Sequence, residues 1–317
     1  MRKIVYLDYY ALNPGDIDFT ALHSLGDVEL FDRTVTFEDT VKRLSDCEIA
    51  IVNKVKLTDK VFDLCPKLKF VAVTATGYDI VDIKAAKERG ILVANVPAYS
   101  TPSVAQHIFA LLLELAVRTG DHSKSVKNGD WSKCPDYTYH ISHLTELSGK
   151  TMGFIGMGAI GSAAAKIAQA FGMKAVCYHS RSEVEGVEHL DLDTLLKVSD
   201  VISLCCPLTP ETKEIISKDT LNKMRDGVII INTSRGGLIN EEDLALAIKS
   251  GKVRGAGLDV LKTEPPINSS PLIDLDEVIV TPHIAWAPKE SRERLLNVAI
   301  ENIKAYIDGS AQNIVNK

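Results

Sequence analysis

The chain has 317 residues, 45% of them hydrophobic and 25% charged, enough for a substantial core and, at about 150 residues per domain, for two domains rather than one. A formal charge of -6 gives no basic footprint for neutralising phosphates, which argues against nucleic-acid binding and means that a small anionic substrate needs a local cationic site. The cysteines (47, 65, 134, 177, 205 and 206) show no C-x-x-C spacing and read as reduced thiols of a cytoplasmic protein, and neither a signal peptide nor a membrane span is expected.

From the start, short β-rich runs alternate with helical ones: KIVYL (3–7), VELF (28–31), EIAIVN (48–53), KFVAV (69–73) and ILVAN (91–95), with helical segments at 59–64 and 80–89, the latter closed by Gly90. Residues 102–118 are apolar on nearly every side and read as a buried linking helix. Residues 119–149 lose periodicity and carry scattered aromatics (Trp131, Tyr137, Tyr139), which reads as a long irregular segment of the kind that is often functional, an arm onto a partner subunit being one such role. A second alternation runs through TMGFIG (151–156), KAVCY (174–178), DVISLCC (200–206), GVIIINT (227–233), VRGAGLD (253–259) and EVIVTPH (277–283), six strands in the manner of a dinucleotide-binding sheet. After Pro288, Leu295, Leu296, Ala299, Ile300, Ile303, Tyr306 and Ile307 share one helical stripe, expected to pack on the first domain.

The segment GFIGMGAIG places Gly156, Gly158 and Gly161 in a G-x-G-x-x-G spacing between a strand and an alanine-rich helix. The first glycine permits the tight turn, the second lets backbone approach a pyrophosphate, and the third lets helix and strand pack closely, with the helix N-terminus facing the anion. No kinase-like motif accompanies it, and a flavin is disfavoured. The acid that normally binds the adenosine ribose is missing from YHSRS (178–182): His179 stands in its place, while Ser180 and Arg181 suit a 2′-phosphate. The cofactor expected is NADP or NAD, with NADPH favoured; a solvated basic loop that tolerates either remains the alternative.

Arg235, Glu264 and His283 each fall just after a predicted strand of the second alternation, where doubly wound sheets place their ligands. Reduction of a 2-oxo acid needs a cation for the carboxylate, a proton donor for the developing alkoxide and a hydride held near carbon. Arg235 supplies the first and His283 the second, and a carboxylate such as Glu264 orients the ring and stabilises its charged form. Singly, each has an ordinary explanation as a surface ion pair, a loop charge or a core histidine. The HISH run (His140, His143) lacks a ligand cluster of metal spacing, so no metal is expected.

Together, SVAQH (103–107), GKTMGFIGMGAIG (149–161), the run INTSRGGLINEEDLALAIKSGKVRGAGLDVLKTEPP (231–266) and TPHIAWA (281–287) resemble the D-2-hydroxyacid dehydrogenases over almost the whole chain. The resemblance implies an α/β fold of two doubly wound domains: a Rossmann cofactor domain (101–287) inserted into a flavodoxin-like substrate domain (1–100 plus 288–317). It implies an NAD(P)-dependent oxidoreductase with catalytic Arg235, Glu264 and His283, and a homodimer formed through the cofactor domains and the 119–149 arm. It further implies cofactor contacts from Ala159, Ile160, Cys206, Pro207, Thr212, Thr233, Ser234 and Asp259, and a substrate carboxylate held near Ala75, Thr76 and Gly77 of TATGYD. Lys54 and Trp286 are candidates for shaping the substrate pocket, although Trp286 also suits a packing role. The expected substrate is a small 2-oxo acid, hydroxypyruvate going to D-glycerate, because TATGYD, NVPAYSTPSVAQH and HIAW look more like glycerate dehydrogenases than lactate or phosphoglycerate enzymes. Glyoxylate and hydroxyphenylpyruvate are rival substrates, and a non-enzymatic dinucleotide sensor is the rival class.

Overall fold

The structure is a computed structural model that describes residues 2–180, 183–267 and 270–317. The chain divides into two compact units, Met1–Ser100 with Ala287–Lys317, and Thr101–Trp286. No helix among the described residues is long and apolar enough to cross a membrane.

In the first unit, β1 (Lys3–Tyr6), β2 (Asp27–Leu30), β3 (Ile49–Val52), β4 (Phe70–Val73) and β5 (Leu92–Ala94) form a parallel sheet in the order β2-β1-β3-β4-β5, which is the flavodoxin-like order. Strands β3 and β4 are buried at every residue, which is why they read as continuous apolar runs rather than alternating ones. The helix Lys289–Ile307 buries Leu295, Leu296, Ala299, Ile300 and Ile303, and Tyr306 stacks on Phe70 of β4 with ring centroids 4.6 Å apart. The C-terminal stripe therefore packs on the first domain, as its pattern requires.

In the second unit, β6 (Thr151–Met157), β7 (Lys174–Ser180), β8 (Val187–His189), β9 (Val201–Leu204), β10 (Val228–Asn232), β11 (Val253–Leu258) and β12 (Val278–Val280) form a second parallel sheet, in the order β12-β11-β10-β9-β6-β7-β8. This is the doubly wound dinucleotide-binding order with one added strand, and strand order reverses between β6 and β9. The linking helix spans Thr101–Val117 and joins Phe109, Leu111, Leu112 and Leu115 to a core with Met152, Phe154 and Ile231.

Two readings need correction. The segment 119–149 is not irregular throughout, because helices Thr119–Lys127 and Asp130–Lys133 occupy its first half. Neither buries a residue, so no apolar stripe marks them, and the break from the linking helix is a left-handed Arg118. Strand β8 was also missed: it has three residues, none fully buried, at the edge of the sheet.

Candidate active site

Three neighbouring strands bring the charged candidates to one edge of the second sheet. Asn232, Leu258 and Val280 are register partners across β10, β11 and β12, and the chain beyond each leads to Arg235, Glu264 and His283 respectively. Local hydrogen bonds fix each exit. Buried Asn232 accepts from the Ser234 amide (3.0 Å) and donates to the Arg235 carbonyl (2.9 Å), which makes a tight turn and leaves Arg235 exposed. Glu264 Oε1 accepts from the Leu261 amide at 3.1 Å, folding its loop back on itself.

The decisive contact is between Glu264 Oε2 and His283 Nδ1, 2.7 Å apart. With a carboxylate as acceptor, Nδ1 carries the proton of that bond, the ring orientation is set, and Nε2 is the nitrogen left for other partners. His283 has a left-handed backbone (φ 55°), which is uncommon for a non-glycine residue, and its amide is shared between the carbonyls of Asp259 and Thr281 at 2.9 Å each. The indole N–H of Trp286 donates to the His283 carbonyl at 2.9 Å.

Asp259 holds this turn together. Its side chain is buried, with Oδ1 accepting from the Thr281 hydroxyl (2.6 Å) and the Ile284 amide (2.9 Å), and Oδ2 from the Ala285 amide (2.8 Å). His107 Nε2 lies 3.0 Å from Thr281 Oγ1. Because the one hydroxyl proton of Thr281 goes to Asp259, His107 is the donor in that contact, so its Nε2 is protonated. On the other side, Glu241 begins the helix Glu241–Lys249 and accepts from the Lys262 amide at 2.7 Å and from the Ser270 hydroxyl at 2.8 Å, pinning the loop that carries Glu264. A β-carbon on Gly236 would overlap the Leu261 carbonyl and the Lys262 amide nitrogen, so the turn after Arg235 lies directly against that same loop.

The reversal of strand order between β6 and β9 holds the glycine loop. Gly156 has φ +96°, and a β-carbon there would come within 2.7 Å of the Cys206 amide nitrogen; one on Gly161 would come within 2.6 Å of the Gly156 carbonyl. Gly158 differs: a β-carbon there meets nothing within 4 Å among the described residues, so backbone at this point borders open space. It also begins the helix Ala159–Ala170 without a side-chain cap, which leaves first-turn amides for an anion. Thr233 Oγ1 and Ser162 Oγ are buried without a hydrogen-bond partner among the described residues. Open backbone, an uncapped helix and the orphaned Ser162 hydroxyl in that helix's first turn, all at a strand-order reversal, fit a dinucleotide.

The other expected cofactor residues lie at or beyond the ends of β6, β7, β9 and β10 in the chain. Ser234 donates to the Leu204 carbonyl (2.8 Å) and Thr212 to the Pro207 carbonyl (2.7 Å), so both hydroxyls shape loops of the site. Burial pushes the Cys206 thiol up to about 11 and that of Cys205 up to about 12, which leaves neither a thiolate at neutral pH. Ala159 and Ile160 open the helix after the glycine loop, and His179 sits exposed near the end of β7 with φ 57°, edge-on to Tyr178. Ser180 ends that strand, and Arg181 lies outside the described residues.

Residues 109–285 match the family model for the NAD binding domain of D-isomer specific 2-hydroxyacid dehydrogenases. The chain is 49% identical over 321 residues to a hydroxypyruvate reductase of Blautia hydrogenotrophica, covering 99% of this chain and all of the relative. The chain belongs to the D-2-hydroxyacid dehydrogenase family. It is also 40% identical to a glycerate dehydrogenase of Methylorubrum extorquens, covering 99% of each chain. An acyclic imino acid reductase solved with NADPH and D-Arg superposes with a TM-score of 0.87 at 34% identity, again over 99% of each chain. As a D-2-hydroxyacid dehydrogenase, the protein is an oxidoreductase whose cofactor is a nicotinamide dinucleotide and whose substrates are small 2-oxo or 2-hydroxy acids.

Four further candidates of this D-2-hydroxyacid dehydrogenase belong to the first unit. Lys54 is exposed just after β3, and Ala75, Thr76 and Gly77 follow β4. The latter stretch is strapped to the chain beyond β5, since the Val96 amide donates to the Ala75 carbonyl (3.0 Å), Thr76 Oγ1 to the Val96 carbonyl (2.9 Å) and Asn95 Nδ2 to the Thr76 carbonyl (2.7 Å). Sequence reasoning missed His107, Thr281 and Glu241 as supports of the site, although SVAQH, TPH and the acidic start NEED were in view. It also gave Asp259 only a cofactor role, whereas its carboxylate is engaged with the His283 turn.

Proposed function

We propose that this dehydrogenase reduces hydroxypyruvate to D-glycerate. The hydrogen-bonded pair of His283 and Glu264 carries the chemistry in this reading. Full-length likeness to a hydroxypyruvate reductase and a glycerate dehydrogenase supports the substrate.

In the proposed division of labour, Thr101–Trp286 is the cofactor domain and the remaining unit the substrate domain. The backbone of Gly156, Gly158 and Gly161 with the first-turn amides at Ala159 and Ile160 would hold the pyrophosphate, and Cys206, Pro207, Thr212, Thr233, Ser234 and Asp259 would line the crevice. When bound, the nicotinamide supplies the hydride for C2. The guanidinium of Arg235 binds the substrate carboxylate and carbonyl oxygen with its paired N–H donors. His283 Nε2 donates a proton to the C2 oxygen as charge develops there, and Glu264, bonded to Nδ1, keeps the ring in place. In the reverse direction the neutral ring accepts that proton from the alcohol. The amides around Ala75, Thr76 and Gly77 hold the carboxylate, Lys54 or its neighbouring backbone receives the C3 hydroxyl, and Trp286 limits the depth of the pocket.

NADPH is used at least as well as NADH in this proposal, because YHSRS offers no carboxylate to bind a ribose hydroxyl or repel a 2′-phosphate, and Arg181 supplies a cation. A homodimer is proposed through the cofactor unit and its arm, where Trp131, Tyr137, Ile141 and Leu144 are exposed. The unpaired cysteines suit a cytoplasmic setting.

Steady-state kcat/KM for hydroxypyruvate, glyoxylate, pyruvate and 4-hydroxyphenylpyruvate, each with NADH and NADPH, tests this reading. A site built to bond a hydroxyl rejects an analogue lacking it by up to about 10⁴–10⁵, far more than an apolar slot achieves. Hydroxypyruvate is expected first, glyoxylate behind it and pyruvate poor. Preference for the aromatic acid would overturn the substrate, and strong preference for NADH would overturn the cofactor choice.

A further inference from the structure

In an open doubly wound sheet, the natural ligand crevice lies beyond the carboxyl ends of the strands where strand order reverses. In the first unit that point falls between β1 and β3. The chain fills it with a carboxylate of its own. Asp8, two residues past β1 and 8% exposed, accepts from three consecutive amides just past β3: Asn53 to Oδ1 at 2.8 Å, and Lys54 and Val55 to Oδ2 at 2.6 and 3.0 Å. Three successive N–H groups turned inward make an anion-binding nest, which elsewhere takes a phosphate or a carboxylate ligand. Burial raises the Asp8 carboxyl above its ordinary range, and the three amides pull against that shift. An ionised carboxylate at this depth is tolerable because those donors replace its water.

The same nest is tied to the stretch after β4. Asn53 Nδ2 donates to the Thr74 carbonyl at 2.6 Å, and Thr74 Oγ1 accepts from the Tyr6 hydroxyl at 3.0 Å and donates to the Val52 carbonyl at 3.2 Å. Asn53, Thr74 and Tyr6 are all buried. One carboxylate therefore sets the backbone at 53–55 directly, and through Asn53 it is coupled to the start of the Ala75–Gly77 stretch.

We infer that Asp8 is a positioning residue for substrate specificity, an internal anion that fixes both backbone stretches proposed to meet the 2-oxo acid. This inference rests on the proposed substrate roles of Lys54 and Ala75–Gly77. Neither Asp8 oxygen needs to touch substrate. Its influence falls on KM, because neither stretch carries the proposed proton donor, His283.

The test is steady-state kinetics of Asp8→Ala and Asp8→Asn with the wild type's best 2-oxo acid, with and without added formate, a carboxylate small enough to enter an emptied nest. A hydrogen bond to a charged group is worth about tenfold or more in affinity. Asp8→Ala is therefore expected to raise KM by about tenfold or more, with kcat within a few-fold of wild type and NADPH affinity unchanged, and formate is expected to bring KM back down. In the wild type formate is expected only to compete with substrate. Asp8→Asn keeps one acceptor oxygen and is expected to show a smaller rise, which decides the matter if Asp8→Ala does not fold. Unchanged KM in both variants overturns the inference, as does an equal loss of kcat, NADPH affinity and stability that formate does not relieve. Wild-type rates report separately on the function itself, and the variant-to-wild-type ratio reports on Asp8.

Discussion

Replacing His283 with alanine is expected to lower kcat for 2-oxo acid reduction by roughly 10²–10⁴, the scale of general acid–base catalysis, while the dissociation constant for NADPH stays near that of wild type. The expectation follows from the 2.7 Å bond between His283 Nδ1 and Glu264 Oε2 and from the support of the turn that carries the ring. That turn is built by the Asp259 carboxylate, the Thr281 hydroxyl and backbone amides, none of which involves the imidazole itself. Removing the ring should therefore leave the scaffold intact. Comparing kcat with dinucleotide affinity, measured by quenching of protein fluorescence, separates loss of the proton donor from collapse of the site. Activity close to wild type would remove His283 from the mechanism.

Gly236→Ala is expected to be nearly as damaging to activity although it removes no functional group. The added β-carbon would overlap the Leu261 carbonyl and the Lys262 amide, so either the Arg235 turn or the Glu264 loop must move. Overpacking of this kind costs about 1–3 kcal/mol of stability, and a shift of about 1 Å in a catalytic group costs on the order of 10²-fold in rate. Because Glu241 holds the same loop at the Lys262 amide and Ser270, the strain cannot be relieved by a simple local slide. A fall of about 10²-fold or more in kcat/KM with a modest fall in melting temperature is expected. Unimpaired turnover would show that the two loops do not have to touch for the site to work.

Much of the fold was legible because its signals are local. Parallel strands buried on both faces appear as IAIV and VIII runs, and the glycine spacing of 156, 158 and 161 is chemistry imposed on neighbouring residues. The short edge strand Val187–His189 and the polar helix Thr119–Lys127 escaped because neither buries an apolar face. At the site, Arg235, Glu264 and His283 could be nominated from their places after strands. Their supports were hidden for a geometric reason: Asp259 acts on residues 22 to 26 positions away and His107 on one 174 away, through side-chain directions that periodicity does not encode. Asp8 was hidden in the same way, since its partners lie 45 to 47 residues downstream and are backbone amides with no residue-type signature.

The most direct test of the account is the configuration of the product. Purified protein supplied with hydroxypyruvate and NADPH should oxidise the dinucleotide in step with the appearance of glycerate, and chiral chromatography should show the D enantiomer alone. Formation of L-glycerate, or dinucleotide oxidation that does not match product formed, would contradict it.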